Sequence, residues 1–543
     1  MSASTVHAVF AATAARAPHA EFLFTEAATA RSYGIEPGPL RWGEAASRVA
    51  ALRGAYVAAG YGHGHRVGLL LENRPAFLLH WLALNALGAS VVPIQAELRA
   101  AELRHLIEHS EIVLAVTLPQ REAELQRAAA DVGSRMATWA PDTPAALPVA
   151  VIRALREREP ITALSECGLL YTSGTTGRPK GCMLPNAYYL DAGRWYVALG
   201  HLCRVRPDQE RVITPLPLSH MNAMAFSAMV VLTAGGCLIQ LDRFHPATWW
   251  ASVRESRATI VHYLGVMPAM LLAAPASVRD REHGVRFGFG AGVGKGHHAP
   301  FESRFGFPLL EAWAMTETGS AACVMAHREP RHVGSGCFGR PEPTMQWRVV
   351  ADDGRDVPVG EPGELLVRAA GPDPRRGFFA GYLKDEAATE EAWAGGWFHT
   401  GDVVRADADA NLYFVDRKKN VIRRSGENIS AVEVESVLNL HPRVHAAAVA
   451  AVPDAVRGDE VFAFVVPRGE VAPDERSALA RSIVEHALAE LAYFKAPGFV
   501  AFVDALPLTA SQKIQRGELK ALATAALGQP SCIDTTALKK RQP

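Results

Sequence analysis

The chain has 543 residues, 49% hydrophobic and 21% charged, a globular mixture that excludes a largely disordered protein. Lys+Arg and Asp+Glu are both 56, giving a formal net charge of zero, so no broad electropositive surface for nucleic acid or acidic lipid is expected. The length exceeds the size at which one hydrophobic core stops growing and calls for at least two domains.

The first twenty-odd residues lack a basic leader, and their short apolar stretch is broken by His7; they predict an amphipathic helix rather than a signal peptide. Residues 42–130 alternate strand-like and helix-like runs, such as Arg66-Val-Gly-Leu-Leu-Leu followed by Pro75–Leu87, the rhythm of parallel α/β layers. A Pro/Ala-rich segment at 139–148 separates these from a second α/β region running from about Ser165 to Pro341. Within it, 213–241 carries no Asp, Glu, Lys or Arg, yet Pro215, Pro217, Gly235 and Gly236 interrupt it. A buried helix followed by a buried strand is expected there, not a membrane span.

From Gln346 short strands and turn signals take over, with hairpins marked at Asp352-Asp353-Gly354 and Pro362-Gly363. After Asp416 the charged Arg417-Lys418-Lys419 precedes a stretch with helices at 431–439 and 477–491 and strands at 446–451 and 461–466. The expected fold class is α/β. It comprises a large N-terminal domain (1–417) of two α/β layered subdomains plus a small β-barrel-like subdomain. A smaller, mobile α+β C-terminal lid domain (418–526) and a disordered tail (527–543) follow. Seven scattered cysteines, an odd number without a CxxC pair, argue against a disulfide scaffold or a cysteine zinc site and fit a reducing cytoplasm.

The strongest chemical signal is Leu169-Leu-Tyr-Thr-Ser-Gly-Thr-Thr-Gly-Arg-Pro-Lys-Gly181. Gly174, Gly177 and Gly181 let backbone N–H groups turn inward, Thr172, Ser173, Thr175 and Thr176 supply hydroxyls, and Lys180 supplies a charge. Together they form a cradle for polyphosphate. The spacing is not that of the Walker loop.

This run resembles the signature of the acyl-adenylate-forming superfamily, which holds acyl-CoA synthetases, carrier-loading adenylation domains and beetle luciferases. The likeness continues in order through Pro217-Leu-Ser-His220, Trp313-Ala-Met-Thr-Glu317, Trp397-Phe-His-Thr-Gly-Asp402, Asp416-Arg417 through Gly426-Glu-Asn-Ile-Ser430, and Ser511-Gln-Lys-Ile514. The stretches 414–430 and 244–272 resemble the crotonobetaine/carnitine-CoA ligase group.

The resemblance implies an ATP-dependent acid–CoA ligase. A carboxylic acid and ATP give acyl-AMP and pyrophosphate, and the acyl group then passes to the CoA thiol with release of AMP. It also implies residue roles. Thr172 to Gly177 and Lys180 hold phosphates. Thr316 and Glu317 meet the α-phosphate and Mg²⁺. Gly290, Ala291 and Gly292 run along adenine and the acyl pocket. Trp313, where tyrosine is usual, stacks on adenine, and Asp402 and Arg417 hold the ribose. Lys513 stabilises the adenylation transition state. His220 joins Lys513, Thr316 and Glu317 as a catalytic candidate and, with Tyr263, Gly265, Val266, Gly292 and Ala314, makes up the pocket candidates. Lys419 is the hinge, and Ser425 and Gly426 line a pantetheine tunnel. Lys495 matches a lid motif, but composition favours a surface lysine. Adjacent His297 and His298 lack further ligands and are not read as a metal site.

Ala314 in place of a usual glycine implies a somewhat smaller cavity, while Gly292 in place of a usual proline implies local freedom; a short or medium acid, aromatic ones included, is expected over a long fatty acid. A carrier-protein pantetheine as acceptor and a non-catalytic nucleotide-binding homologue are the alternatives. The reading leaves a homodimer open.

Overall fold

Short β-branched and aliphatic runs bounded by glycine and proline make the strands, and longer apolar periodic runs make the helices that cover them. The structure, a computed structural model, describes residues 4–141, 145–154, 156, 159–172, 179–351, 353–417, 422–429, 431–507 and 516–539. It divides into two compact units. The first is Met1–Ala96, Ile107–Leu170 and Gly181–Asp416; the second is Glu97–Leu106, Tyr171–Lys180 and Arg417–Pro543.

Three sheets centre on the first unit. One runs, in spatial order, Ala137–Trp139, Leu114–Thr117, Arg66–Leu70, Ser90–Pro93, Glu166–Thr172, Lys180–Pro185 and Gly381–Tyr382. Val67, Leu69, Val91, Leu114 and Val116 are fully buried, as expected of parallel strands covered on both faces. The helix Pro75–Asn85 is buried from Phe77 onward on every side, which explains its apolar sequence without a polar stripe.

The second sheet has a parallel core of Cys237–Gln240, Arg211–Thr214, Ile260–Leu264, Phe287–Ala291 and Leu309–Trp313. Antiparallel strands close both edges. The charge-free stretch at 213–241 resolves into the end of a strand, a π-turn at Asn222–Ser227, the helix Ala228–Ala234 and the strand Cys237–Gln240. Gly235 and Gly236, at φ of 79° and 107°, make the return. No helix among the described residues is long and apolar enough to cross a membrane.

The third sheet has five strands, in the order Cys337–Gly339, Leu412–Arg417, Phe398–Ala406, Pro362–Ala369 and Met345–Val350. Cys337–Gly339 pairs antiparallel with Leu412–Arg417, as does Pro362–Ala369 with each of Met345–Val350 and Phe398–Ala406, and this sheet is the small β region. Pro362 and Gly363 open a strand rather than form a hairpin; Gly363 packs against Val350 where a Cβ would lie 2.6 Å from its carbonyl. The His-Thr-Gly-Asp run belongs to the strand Phe398–Ala406.

The second unit contains the sheet built on Gly458–Pro467, flanked by Val444–Asp454, Ile422–Arg424 and Phe499–Phe502. Helices Ala431–Leu438 and Arg476–Glu490 accompany it. Residues 527–539 depart from the expected disorder. Cys532–Asp534 pairs antiparallel with Phe499–Phe502. Lys539 is buried against Glu460, which also takes Arg424 Nε at 2.8 Å. Gly528 and Pro530 make the tail read as a linker, but tertiary pairing overrides that local composition.

Candidate active site

In an open parallel sheet, loops gather at the carboxyl ends of the strands and ligands bind there. Strands Ile260–Leu264, Phe287–Ala291 and Leu309–Trp313 end side by side in Gly265, Gly292 and Ala314–Glu317. These are the segments carrying most of the candidate residues of the first unit.

Thr316 and Glu317 sit in a turn, not at a helix start. Two tyrosines fix that turn. Tyr188 Oη donates to the Thr316 carbonyl at 2.9 Å, and Tyr382 Oη donates to Glu317 Oε1 at 3.0 Å. Gly319, at φ 52°, lies on the Tyr188 ring so closely that a Cβ would be 2.5 Å from Cε2. Burial and the neighbouring Glu317 carboxylate push the Tyr382 phenol well above its ordinary pKa, so it stays a donor to that carboxylate. An oriented carboxylate of this kind suits a hard cation that keeps water and phosphate oxygens as its other ligands. Among the described residues no group of three or more His, Cys, Asp or Glu is arranged to hold a metal by itself.

Trp313 ends its strand 6% exposed, and its Nε1 donates to Asp402 Oδ2 at 2.9 Å. Asp402 owes its position to a bulge. Glu364 pairs with Val403 and Leu366 with His399, so three residues, 400–402, oppose Leu365 alone. Thr400 Oγ1 donates to the Leu365 carbonyl and accepts from Asp402 N, while Gly401 N donates to Glu364 Oε1. Bulges of this sort re-aim a side chain, and here the carboxylate is turned onto the indole.

The Pro217-Leu-Ser-His220 segment is clamped by Asn73. This buried amide accepts Leu218 N at 2.9 Å and donates to the carbonyls of Leu216 and Leu241 at 3.3 and 2.8 Å. His220 follows, half-buried, its Nε2 3.3 Å from the Gln95 amide nitrogen. Beyond it the π-turn places Asn222 and Ser227, five residues apart, against one atom. His262 Nδ1 lies 2.7 Å from Ser227 Oγ and 3.3 Å from Asn222 Oδ1. Tyr196 Oη lies 2.9 Å from His262 Nε2. With the tyrosine donating to Nε2 and Nδ1–H donating to the serine, the neutral ring is satisfied on both sides. Burial lowers its pKa to about 3.

Tyr263, expected in the pocket, points the other way. Adjacent residues of a strand face opposite sides of the sheet, and Tyr263 lies in the apolar layer with Trp249, Phe301 and Phe307. Its ring crosses Gly288 and Gly290. Gly265 abuts Gly292, where a Cβ on Gly265 would lie 1.7 Å from the Gly292 carbonyl oxygen. Gly292 itself, at φ 79°, has open space beside it. Ala291 and Ala314 are half-buried, and Val266 opens the helix Val266–Ala273. His298 is structural: it is buried, with Nε2 3.0 Å from the Leu309 carbonyl oxygen and 3.1 Å from Glu302 Oε1.

In the second unit, Thr172 ends one strand, Lys180 begins the next and Arg417 ends a third. Ser173, Gly174, Thr175, Thr176, Gly177, Lys419 and Lys513 lie outside the described residues. Ser425 and Gly426 form a two-residue hairpin turn between Ile422–Arg424 and Glu427–Ile429, at φ of 52° and 88°. Lys495 is not a surface lysine; it is buried between Glu102 at 2.6 Å and Glu433 at 3.0 Å.

The sequence reading missed Asn73, Tyr188, Tyr382, Glu311 and the His262 cluster. Only Glu311, a carboxylate inside the apolar strand Leu309–Trp313, carried a signal: a charge there needs buried partners.

Known proteins carry the same pattern. The model of the AMP-binding enzyme family matches residues 10–383, and that of the AMP-binding enzyme C-terminal domain matches 433–513. A sulfoacetate–CoA ligase of Cupriavidus necator is 34% identical over 487 residues, covering 88% of this chain and 92% of that protein. A crotonobetaine/carnitine–CoA ligase of Escherichia fergusonii is 30% identical over 479 residues, covering 86% and 90%. In fold, the chain is similar to an o-succinylbenzoate CoA synthetase of Bacillus subtilis, with a TM-score of 0.79 at 23% identity over 94% of this chain and 98% of that one. The protein belongs to the AMP-binding enzyme family.

Proposed function

We propose that the chain is an ATP-dependent acid–CoA ligase acting on a short, polar carboxylic acid in the cytoplasm. The acid's carboxylate oxygen attacks the α-phosphorus of ATP, pyrophosphate leaves, and acyl-AMP forms. The CoA sulfur then attacks the acyl carbon, AMP leaves, and the thiol proton passes to solvent. Mg²⁺, when bound beside Glu317 and the triphosphate, screens the charge of the two reacting anions.

The observation that carries this reading is the joining of Trp313 to Asp402 beside the tyrosine-held Glu317 turn. In this assignment the indole carries adenine on its face and its N–H orients the carboxylate that receives the ribose hydroxyls. The Tyr188-held Thr316 presents its hydroxyl to the α-phosphate. Residues 172–180 cradle the outer phosphates, Arg417 reaches the ribose, and Lys513 brings an ammonium to the carboxylate and α-phosphate. Domain 418–526 acts as the lid, pivoting at Lys419 and lining the thiol path with Ser425 and Gly426.

A short acid is supported by the close approach of Gly265 to Gly292, where a side chain on Gly265 would meet the Gly292 carbonyl oxygen. A polar acid is supported by the names of the two relatives, a sulfoacetate–CoA ligase and a crotonobetaine/carnitine–CoA ligase.

Pyrophosphate release is to be assayed with sulfoacetate, crotonobetaine, malonate, propionate and benzoate, with and without CoA. Lys513→Ala is expected to lower acyl-AMP formation about 10²-fold or more, as loss of a central electrostatic stabiliser does. Equal rates would remove Lys513 from the chemistry. Acyl-AMP formation without turnover on free CoA would point instead to a carrier-protein acceptor.

A further inference from the structure

Three residues stand abreast on neighbouring parallel strands: Tyr263, Gly290 and Glu311. The middle one has no side chain, and none would fit. A Cβ on Gly290 would lie 2.3 Å from the Tyr263 carbonyl oxygen and 2.7 Å from its ring. The tyrosine ring therefore crosses the intervening strand and donates its hydroxyl to Glu311 Oε1 at 2.9 Å.

Glu311 is 7% exposed and sits in an apolar strand. A buried carboxylate needs donors, and this one has three. Beyond the tyrosine, Gly292 N donates to Oε2 at 2.9 Å, and Val293 N lies 3.3 and 3.4 Å from the two oxygens. Both amides belong to the turn that leaves the strand Phe287–Ala291. The same turn presses on Gly265 from the other side.

We propose that Glu311 is a positioning residue that, braced by Tyr263, holds the 291–293 turn in the one place where it walls the nucleotide and acid sites. The inference rests on the ligase reading for what the turn touches, and on the geometry alone for what holds it. Burial raises the Glu311 pKa, and in either form its oxygens accept from the two backbone amides. Alanine at 311 leaves two amides and a phenol without an acceptor, whereas glutamine keeps one oxygen for them.

The test compares full-length wild type, Glu311→Ala, Glu311→Gln and Tyr263→Phe. Amide hydrogen exchange is followed at 292–293, AMP affinity by calorimetry, and KM against kcat with ATP and the acid panel above. In Glu311→Ala, exchange at 292–293 is expected to rise about tenfold or more, with AMP affinity falling by a similar factor, as loss of a buried acceptor that serves three donors implies. KM for ATP and acid should rise more than kcat falls. Glu311→Gln should recover most of the loss, and Tyr263→Phe should give a smaller change in the same direction.

A folded Glu311→Ala with wild-type exchange at 292–293, or with KM unchanged and only kcat lowered, overturns the proposal. If Glu311→Ala does not fold, Tyr263→Phe decides, and wild-type exchange and AMP affinity in that variant overturn it. A wild type that binds AMP but forms no acyl-CoA from the panel defeats the ligase reading and leaves the exchange and affinity comparisons intact.

Discussion

The indole nitrogen of Trp313 and the carboxylate of Asp402 meet at 2.9 Å, with both side chains more than nine-tenths buried. One ends a parallel strand and the other sits in the bulge of an antiparallel one. A phenol in place of the indole would lack this ring N–H donor, so the ring and the acid are coupled by the residue this chain uses.

Trp313→Phe keeps an aromatic face and removes that donor. It is expected to raise KM for ATP about tenfold and to cost about 1–3 kcal/mol of stability, the range for a buried acceptor that loses its partner. Steady-state kinetics and thermal denaturation check the two effects. A variant with wild-type KM would show that the bond does not orient Asp402 for nucleotide.

Asn73 serves a donor and two acceptors at once. Asn73→Ala leaves all three backbone groups unsatisfied and is expected to destabilise the protein by about 3 kcal/mol. Asn73→Asp should be at least as harmful, because a carboxylate cannot donate to the Leu216 and Leu241 carbonyls. Denaturant midpoints of the two variants measure this; a milder aspartate variant would contradict the assigned amide orientation.

Ser425 occupies the first turn position at φ 52° with Gly426 behind it. Both central positions of this two-residue hairpin need positive φ. Ser425→Gly should stabilise the second unit by about 0.5–1 kcal/mol, and Ser425→Val should destabilise it by more than that. Unfolding followed by exchange at 422–429 reads the difference.

His262 gives a pH dependence with a defined sign. The unfolded chain takes up a proton below about 6.5, but the buried ring does so only near 3. Stability from this site is therefore intact above 6.5 and falls by about 1.4 kcal/mol for each pH unit below it, down to about 3. His262→Gln is expected to be less stable at neutral pH and to show a shallower decline between pH 6 and 4. Parallel declines in the two proteins would show that the ring does titrate in the fold.

Lys539 and Arg424 share the fully buried Glu460. Lys539→Met removes one partner of a buried pair and should cost about 3 kcal/mol, as such breaks do. Deletion of 527–543 also removes the strand Cys532–Asp534 and should cost more. Melting temperatures that match wild type in both would make the strap dispensable.

The layered α/β plan was legible because apolar runs such as Val67–Leu70 and Val91–Val92 carry period and length together. The Trp313–Glu317 run stood out because its residue types come in order, and the structure places its end in a turn held by two tyrosines. What stayed hidden depends on partners distant in sequence. Lys495 reads as solvated until Glu102 and Glu433 close on it. The tail reads as a linker until Phe499–Phe502 offers an edge. Tyr263 and His262 could each have faced the pocket, since a strand covered on both sides carries no alternation to tell its faces apart.

The widened turn at Asn222–Ser227 acts as a phase setter. In an ordinary helix residues five apart lie about 140° apart around the axis, but the wider winding brings Asn222 and Ser227 round to the same imidazole nitrogen. It absorbs one residue more than an α-turn and so leaves the flanking register unchanged. An inserted residue in this segment should therefore be less tolerated than a deleted one.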